Sequence, residues 1–408
     1  MDKVVIIMPA WNEEDNIRRM IDELVDNEFS KIQQAEMHLL VVDNNSKDKT
    51  AKIVEEASKT RKNVHVIQQG EKSGLGWAYI AGMKYAIRKL KADAVMEMDA
   101  DFQHPPAFVA PMVEAYIGGA DYAIGSRYIP GGSVPKEWPM FRKAISYFGN
   151  LFIRIVLMKP KLHDLTTGFR LTKVKGVLDK IELDNLMEPQ RFAYKVDLLY
   201  QSVKNAKKVV EVPLQFATRK EETSKFATKE MIATFKVAII LGIKDKQRFI
   251  KFGVVGGIGF IINYIGLELL RTAGFVQSFS GLFSGLEGTP VLESLALVTF
   301  WSTALATEMA IISNFILNNI WTFKEKKITS VLKLILAFLK FNLTSLAAVI
   351  IQPFVVSQGI IFFGDTSQVR FFSLIFALIF VVIPWNYIMY NLFIWKTWKL
   401  PWAKRKKA

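Results

Sequence analysis

Asp99-Ala100-Asp101-Phe102-Gln103 sets two carboxylates one residue apart and a carboxamide two residues further on, directly after the apolar run Val95-Met96-Glu97-Met98. Hard oxygen ligands on such a turn suit Mg²⁺ or Mn²⁺, and a cation of that kind bridges diphosphate oxygens. The chemistry this implies is the departure of a nucleoside diphosphate whose charge the metal neutralises. Two more polar clusters, Pro9-Ala10-Trp11-Asn12-Glu13 and Asp43-Asn44-Asn45-Ser46, also follow short apolar runs. Any one of the three could be a turn or a helix cap, since Asp, Asn and Ser favour those positions. Together they point to a ligand site. A cationic series follows: Arg127, Arg142, Arg170, Arg219 and Lys225. Arginine grips phosphate bidentately and keeps its charge, so the series suggests more than one phosphate.

The elements that must carry these residues alternate between short β-branched runs and helical patterns. Residues 4–8, 39–42, 64–68 and 95–98 read as strands, and 17–25, 50–57, 77–90 and 108–116 as the helices that follow them. This alternation predicts an α/β domain with a mostly parallel, Rossmann-like sheet. Ligands of such sheets bind beyond the carboxyl ends of the strands, where all three acidic clusters fall. Gly74-Leu75-Gly76 follows the third strand and lacks the full spacing of a dinucleotide fingerprint, and neither a Walker lysine loop nor a nucleophile elbow occurs. With no cysteine, the chain has no disulfide, zinc-thiolate site or cysteine nucleophile.

The second half of the 408-residue chain has a different solvent. Segments 249–270, 292–320, 332–356 and 371–394 are each long and apolar enough for a membrane span, which needs about 20 helical residues. Lys244, Lys246, Arg248 and Lys251 precede the first, Lys324, Lys326, Lys327 and Lys333 separate the second from the third, and Lys404, Arg405, Lys406 and Lys407 follow the fourth. The positive-inside rule then predicts that both termini and the catalytic domain are cytoplasmic. An initial apolar run of about six residues is too short for a signal-peptide core, which agrees. The net charge of +15 gathers beside these segments, so anionic lipid headgroups explain it more simply than nucleic acid. Asn263, Glu268, Glu308, Asn314, Asn318, Asn319 and Asn342 are expected to face one another or a polar ligand, with Glu308 the best functional candidate. Segments 141–157 and 229–241 read as interfacial amphipathic helices.

On these motifs the chain resembles glycosyltransferase family 2, most closely its polyprenol-phosphate (dolichol-phosphate) mannose synthase branch. The likeness covers nearly all of residues 3–226 and includes Gly125-Ser126-Arg127-Tyr128 and Thr167-Gly168-Phe169-Arg170. It implies a GT-A fold in which Pro9, Trp11, Glu13 and Asp43 hold the nucleoside. Asp99, Ala100 and Asp101 with Gln103 would hold metal and diphosphate, Arg219 and Lys225 the donor's phosphates, and Arg127, Arg142 and Ser146 the phosphate of a lipid acceptor. Trp11, Asn44 and Glu222 stand where the family usually has Tyr, Asp and Gly. Residues 248–323 resemble a GtrA-like four-helix membrane domain, through Arg248-Phe249-x-Lys251-Phe252-Gly253 and Asn314-Phe315-x-x-Asn318-x-x-Trp321-Thr322-Phe323. That likeness implies lipid-carrier handling or homo-oligomerisation. The expected organisation is a GT-A domain over 1–228, an interfacial linker over 229–247 and a four-helix transmembrane domain over 248–408. The expected reaction is metal-dependent, inverting transfer of mannose from GDP-mannose to a polyprenyl phosphate. Two rival readings are a UDP-glucose-dependent glucosyltransferase with the same acceptor and a catalytically silent lipid-binding or flipping module. A processive polysaccharide synthase is disfavoured because no Gln-x-x-Arg-Trp motif follows the metal turn.

Overall fold

The computed structural model describes residues 1–218, 228–274, 278, 297–364, 366, 368–369, 372 and 376–398. The chain divides into two compact units, Met1–Lys244 and Asp245–Ala408.

Strand β1 (Asp2–Ala10) contains Val4-Val5-Ile6-Ile7-Met8, every one of them fully buried. A strand so apolar on both faces belongs at the centre of a parallel sheet covered by helices on each side. β1 pairs in parallel with β2 (Ala35–Asp43) and, across its other edge, with β4 (Ala94–Glu97), while β3 (Val64–Gln68) extends the β2 edge in parallel. Beyond β4 the sheet changes direction. Of β5 (Tyr122–Ser126), β6 (Arg170–Lys173) and β7 (Val209–Pro213), β6 lies antiparallel between β4 and β5, and β7 is parallel to β5. The result is a mostly parallel seven-stranded sheet of order β3-β2-β1-β4-β6-β5-β7.

Its helices are α1 (Glu14–Asp22), α2 (Thr50–Thr60), α3 (Leu75–Tyr85), α4 (Val109–Ile117), α5 (Met140–Val156) and α6 (Tyr194–Asn205). Val4, Ile6 and Met8 pack with α1, α2 and α4, whereas Val5 and Ile7 pack with α3 and α6. The period of two along β1 therefore feeds both cores. Each such fully buried side chain contributes about 1.5–3 kcal/mol.

Helix α7 (Thr228–Arg271) is one continuous helix where the sequence reads as two, at 229–241 and 249–270. The intervening Gly242-Ile-Lys-Asp-Lys-Gln-Arg contains no proline, and its lysines, glutamine and arginine are good helix formers. Gly242 is needed for packing: a Cβ there would lie 2.8 Å from Val156 Cγ1, against the end of α5. The second unit is helical, with α8 (Leu297–Leu317), α9 (Val331–Phe363) and α10 (Ile383–Met389), and π-helical turns at Asn318–Thr322, Ala377–Val382 and Tyr390–Ile394. Phe252, Phe315, Phe323, Phe341, Tyr390 and Trp395 form its core, with Phe323 and Trp395 stacked at 4.2 Å.

Two of the intramembrane candidates bond inside this unit. Asn319 donates to Ile328 O at 3.0 Å and accepts from Ile328 N and Trp395 Nε1 at 2.8 and 3.1 Å. Asn263 donates to Thr307 Oγ1 at 3.3 Å. Glu308 is exposed, Asn318 is buried, and the Glu268 side chain lies outside the described residues. Among the described residues no helix is long and apolar enough to cross a membrane. Of the segments read as spans, residues 292–296, 371 and 373–375 lie outside the described set.

Candidate active site

The carboxyl ends of β1, β2 and β4 open into one cleft of about 1390 Å³ within the first unit. Each strand ends in a residue with left-handed backbone: Asn12 (φ 53°) after β1, Asn45 (φ 59°) after β2 and Phe102 (φ 61°) after β4. Asparagine tolerates that conformation, but a bulky residue adopts it only when its surroundings enforce it. Phe102 is held by packing against the core and by the Arg19 guanidinium, 4.6 Å over its ring. The turn it makes carries Asp101 on one side and Gln103 on the other, and the Gln103 amide donates to Asp101 Oδ1 at 3.1 Å.

Of the residues expected from sequence, Pro9, Trp11, Glu13, Asp99, Ala100, Asp101, Gln103, Arg127, Arg142 and Ser146 all line this cleft. Asp43 does not. Its side chain is buried under the second loop and accepts from Ser46 N at 3.3 Å, while its neighbour Asn44 reaches the cleft and accepts from Ser73 N at 3.0 Å. The first loop is pinned from Asn12 N to Ser46 Oγ and from Glu13 N to Thr50 Oγ1. The Lys72 ammonium lies 2.9 Å from the centre of the Trp11 ring. Arg219 and Lys225 lie outside the described residues.

Asp99 stands against a buried polar wall. Tyr79 donates to its Oδ1 at 2.7 Å, and Lys195 Nζ lies 3.5 Å from the same oxygen. Burial opposes ionisation of Asp99, but the charge of Lys195 and the Tyr79 hydrogen bond outweigh it, so its pKa falls below the ordinary carboxylate value. His104 accepts from the Asp99 amide through Nδ1 at 3.2 Å, a bond incompatible with a proton on that nitrogen. Burial lowers its pKa to about 4, so it is neutral at physiological pH. Behind this layer Tyr194 donates to Glu97 at 2.9 Å, and burial raises the Glu97 pKa.

Arg170, which the sequence reading counts among the phosphate-binding cations, is fully buried in this wall and does not line the cleft. Its guanidinium donates to the carbonyls of Lys195 and Leu165, and its charge offsets that of Glu97. The reason is its place at the start of β6, whose side chains alternate between the sheet's two faces. Position 170 falls on a covered face.

Arg127 is bound more tightly than sequence suggests. Its Nε and Nη2 donate to the two oxygens of Asp164 at 2.7 and 2.8 Å, and Nη2 also donates to Thr166 Oγ1 at 2.8 Å. Burial would pull the guanidinium pKa down, but the Asp164 carboxylate more than reverses this. Asp164 is fully buried and also accepts from the amides of Arg127, Thr166 and Thr167, so it builds the turn that walls the cleft. Arg142 lies on α5 with its guanidinium 4.0 Å over the Trp138 ring, and Ser146, one turn along, shares a 2.5 Å hydrogen bond with Tyr128. Lys195, Asp164 and Tyr79 were missed from sequence, where only a lysine in the largely apolar stretch 192–200 hinted at buried charge.

The turn suits a hard divalent cation. Asp99 keeps 29% of its side chain exposed, and Asp101 and Gln103 add oxygen ligands on the same wall. Among the described residues no group of three or more His, Asp or Glu converges as a metal cage. Such a cation would therefore draw further ligands from diphosphate oxygens and water.

Residues 5–179 match the family Glycosyl transferase family 2, and residues 251–395 match the GtrA/DPMS transmembrane domain. A dolichol-phosphate mannosyltransferase of Pyrococcus furiosus is 32% identical over 367 residues, covering 89% of this chain and 92% of that protein. A polyprenol monophosphomannose synthase of Mycolicibacterium smegmatis is 35% identical over 252 residues, covering 60% of this chain and 90% of that protein. Among solved structures, glucosyl-3-phosphoglycerate synthase from Mycobacterium tuberculosis with uridine diphosphate aligns at 14% identity over 59% of this chain and 80% of its own, with a TM-score of 0.42, too distant to bear on function. The chain belongs to glycosyltransferase family 2 and is a glycosyltransferase whose catalytic unit is followed by a GtrA/DPMS-type transmembrane domain.

Proposed function

We propose that this enzyme transfers mannose from GDP-mannose to a polyprenyl (dolichyl) phosphate at a membrane surface, giving a β-linked polyprenyl-phosphate mannose. The observation that carries the proposal is that one cleft is lined both by the Asp99-Asp101-Gln103 turn and by Arg127, Arg142 and Ser146. The names of the similar mannosyltransferases support both the sugar and the acceptor.

Pro9, Trp11 and Glu13 hold the nucleoside at the ends of β1 and β2, with Asp43 fixing the second loop from beneath and Arg219 and Lys225 completing the donor's phosphate contacts. Asp99, Asp101 and Gln103 hold Mg²⁺ or Mn²⁺ against the diphosphate. When bound, the cation neutralises the charge that builds on the departing diphosphate. Arg127 has committed Nε and Nη2 to Asp164 and Thr166, so it offers the acceptor phosphate its remaining Nη1 end. Arg142 offers a guanidinium backed by Trp138. The acceptor arrives as an anion, so its oxygen attacks the anomeric carbon without a strong general base. The residues chiefly position the two reactants and exclude water. A single in-line displacement inverts the α-linked donor.

Membrane residence is supported by large apolar side chains exposed on the helical unit, among them Phe260, Ile265, Leu269, Ile312, Ile335, Leu339 and Leu343. Facing water, so many would be costly. Four crossings with both termini cytoplasmic fit the placement of lysine and arginine. On α5, Met140, Phe141, Phe148 and Ile155 are exposed beside Arg142 and Lys143, as an interfacial helix requires.

The test is transfer of labelled sugar from GDP-mannose, and separately from UDP-glucose, to polyprenyl phosphate in detergent, with and without Mg²⁺ or Mn²⁺. Metal-dependent mannosyl transfer is expected. Transfer from UDP-glucose alone would replace the donor, and transfer from neither would leave a lipid-binding module.

A further inference from the structure

Lys195 is the one fully buried lysine among the described residues, on α6 behind the metal turn. Its Nζ lies 3.5 Å from Asp99 Oδ1, flanked by the Tyr79 ring at 4.9 Å and the Phe192 ring at 5.1 Å. Among the described residues Nζ makes no hydrogen bond. Gly168 closes over it: a Cβ at that position would overlap Nζ, so glycine leaves the ammonium its place beside Asp99. The side chain does not line the cleft. It is a fixed positive charge on the far side of a proposed metal ligand, too deep for salt to screen.

We propose that Lys195 sets the order in which the site fills: by offsetting the charge of Asp99 from behind, it keeps the turn from holding a divalent cation alone, so the cation enters together with the nucleoside diphosphate. The proposal rests on the reading that Asp99, Asp101 and Gln103 hold the cation. It follows from two observations. A cation approaching Asp99 meets a carboxylate whose charge is already offset, with the repulsion of a fixed ammonium behind it. Among the described residues no group of three or more His, Asp or Glu converges to hold the cation without the nucleotide. In this scheme the negative charge and oxygen ligands that complete the site come with the diphosphate. Lys195 is a positioning residue in this scheme. It touches neither substrate nor cation and acts through Asp99.

The experiment is a Mn²⁺ titration of the full chain in detergent, read by the electron paramagnetic resonance signal of free Mn²⁺, with and without GDP and corrected for Mn²⁺ bound by GDP itself. For the unaltered protein, GDP is expected to tighten Mn²⁺ binding on the order of tenfold or more. Lys195→Met and the milder Lys195→Gln remove the charge, and each is expected to raise nucleotide-free Mn²⁺ affinity by about tenfold and narrow the gap. Tyr79→Phe removes the other bond to Asp99 Oδ1 without removing a charge, and the gap should persist. If both lysine variants fail to fold, the unaltered protein still decides: binding as tight without GDP as with it overturns the proposal. So does a lysine variant that folds yet leaves nucleotide-free affinity unchanged or weaker, or a Tyr79→Phe variant that closes the gap as the lysine variants do. No Mn²⁺ binding under either condition overturns the metal reading as well.

Discussion

At the Asp99 end of the cleft the Asp99 carboxylate is fixed by Tyr79 and Lys195, both fully buried, whereas at the α5 end Arg142 is half-exposed on a helix that also exposes Met140, Phe141 and Phe148. The difference fits the proposal that one cleft serves two kinds of substrate. In the proposed reaction a diphosphate and its cation would demand fixed geometry, which a buried network supplies before binding. A lipid phosphate arrives on a mobile chain from a surface, and a cation on an amphipathic helix can meet it there.

The sharpest break is at the metal turn. Asp101→Ala is expected to lower transfer on the order of 10³-fold or more while the thermal unfolding midpoint stays within a few degrees. Near-normal transfer would remove the turn from the chemistry. Next comes the Arg127 pair, whose side chains are 8% and 0% exposed. Asp164→Ala leaves a buried guanidinium without its counter-charge and is expected to cost about 3–5 kcal/mol, read as a lowered denaturation midpoint. A neutral result would mean that this wall is less fixed than the comparison holds. The third is a pH effect. His104 has a folded pKa of about 4 against an ordinary value of 6.5, so the unfolded chain binds the extra proton. Its stabilising contribution is present above pH 6.5 and is lost as pH falls through 4, by about 3 kcal/mol in all. Unfolding midpoints measured from pH 7 to 4 should fall accordingly, and less steeply in His104→Gln.

The three acidic loops were legible because strand and helix periods differ and because three polar clusters at successive strand ends are harder to explain as separate turns or caps than any one of them. β1 to β4 could be read for the same reason. β5, β6 and β7 match β3 and β4 in length, but the antiparallel insertion of β6 depends on pairings far apart in sequence. Arg170 shows the limit most clearly: its type suggests phosphate, but only the strand's register decides that it faces Glu97. Asp164 and Lys195 take their roles from residues 37 and 96 positions away, Arg127 and Asp99, and no local pattern encodes those distances. α7 was divided at a charged stretch that contains nothing to stop a helix.

The most direct test of the division between the two ends is a two-substrate kinetic study of Arg142→Ala, with GDP-mannose and polyprenyl phosphate varied in turn. The expected result is a KM for the lipid phosphate raised on the order of tenfold or more, with the KM for GDP-mannose unchanged, because Arg142 is assigned to the acceptor phosphate. A raised KM for GDP-mannose with an unchanged KM for the lipid would place Arg142 on the donor and contradict the account.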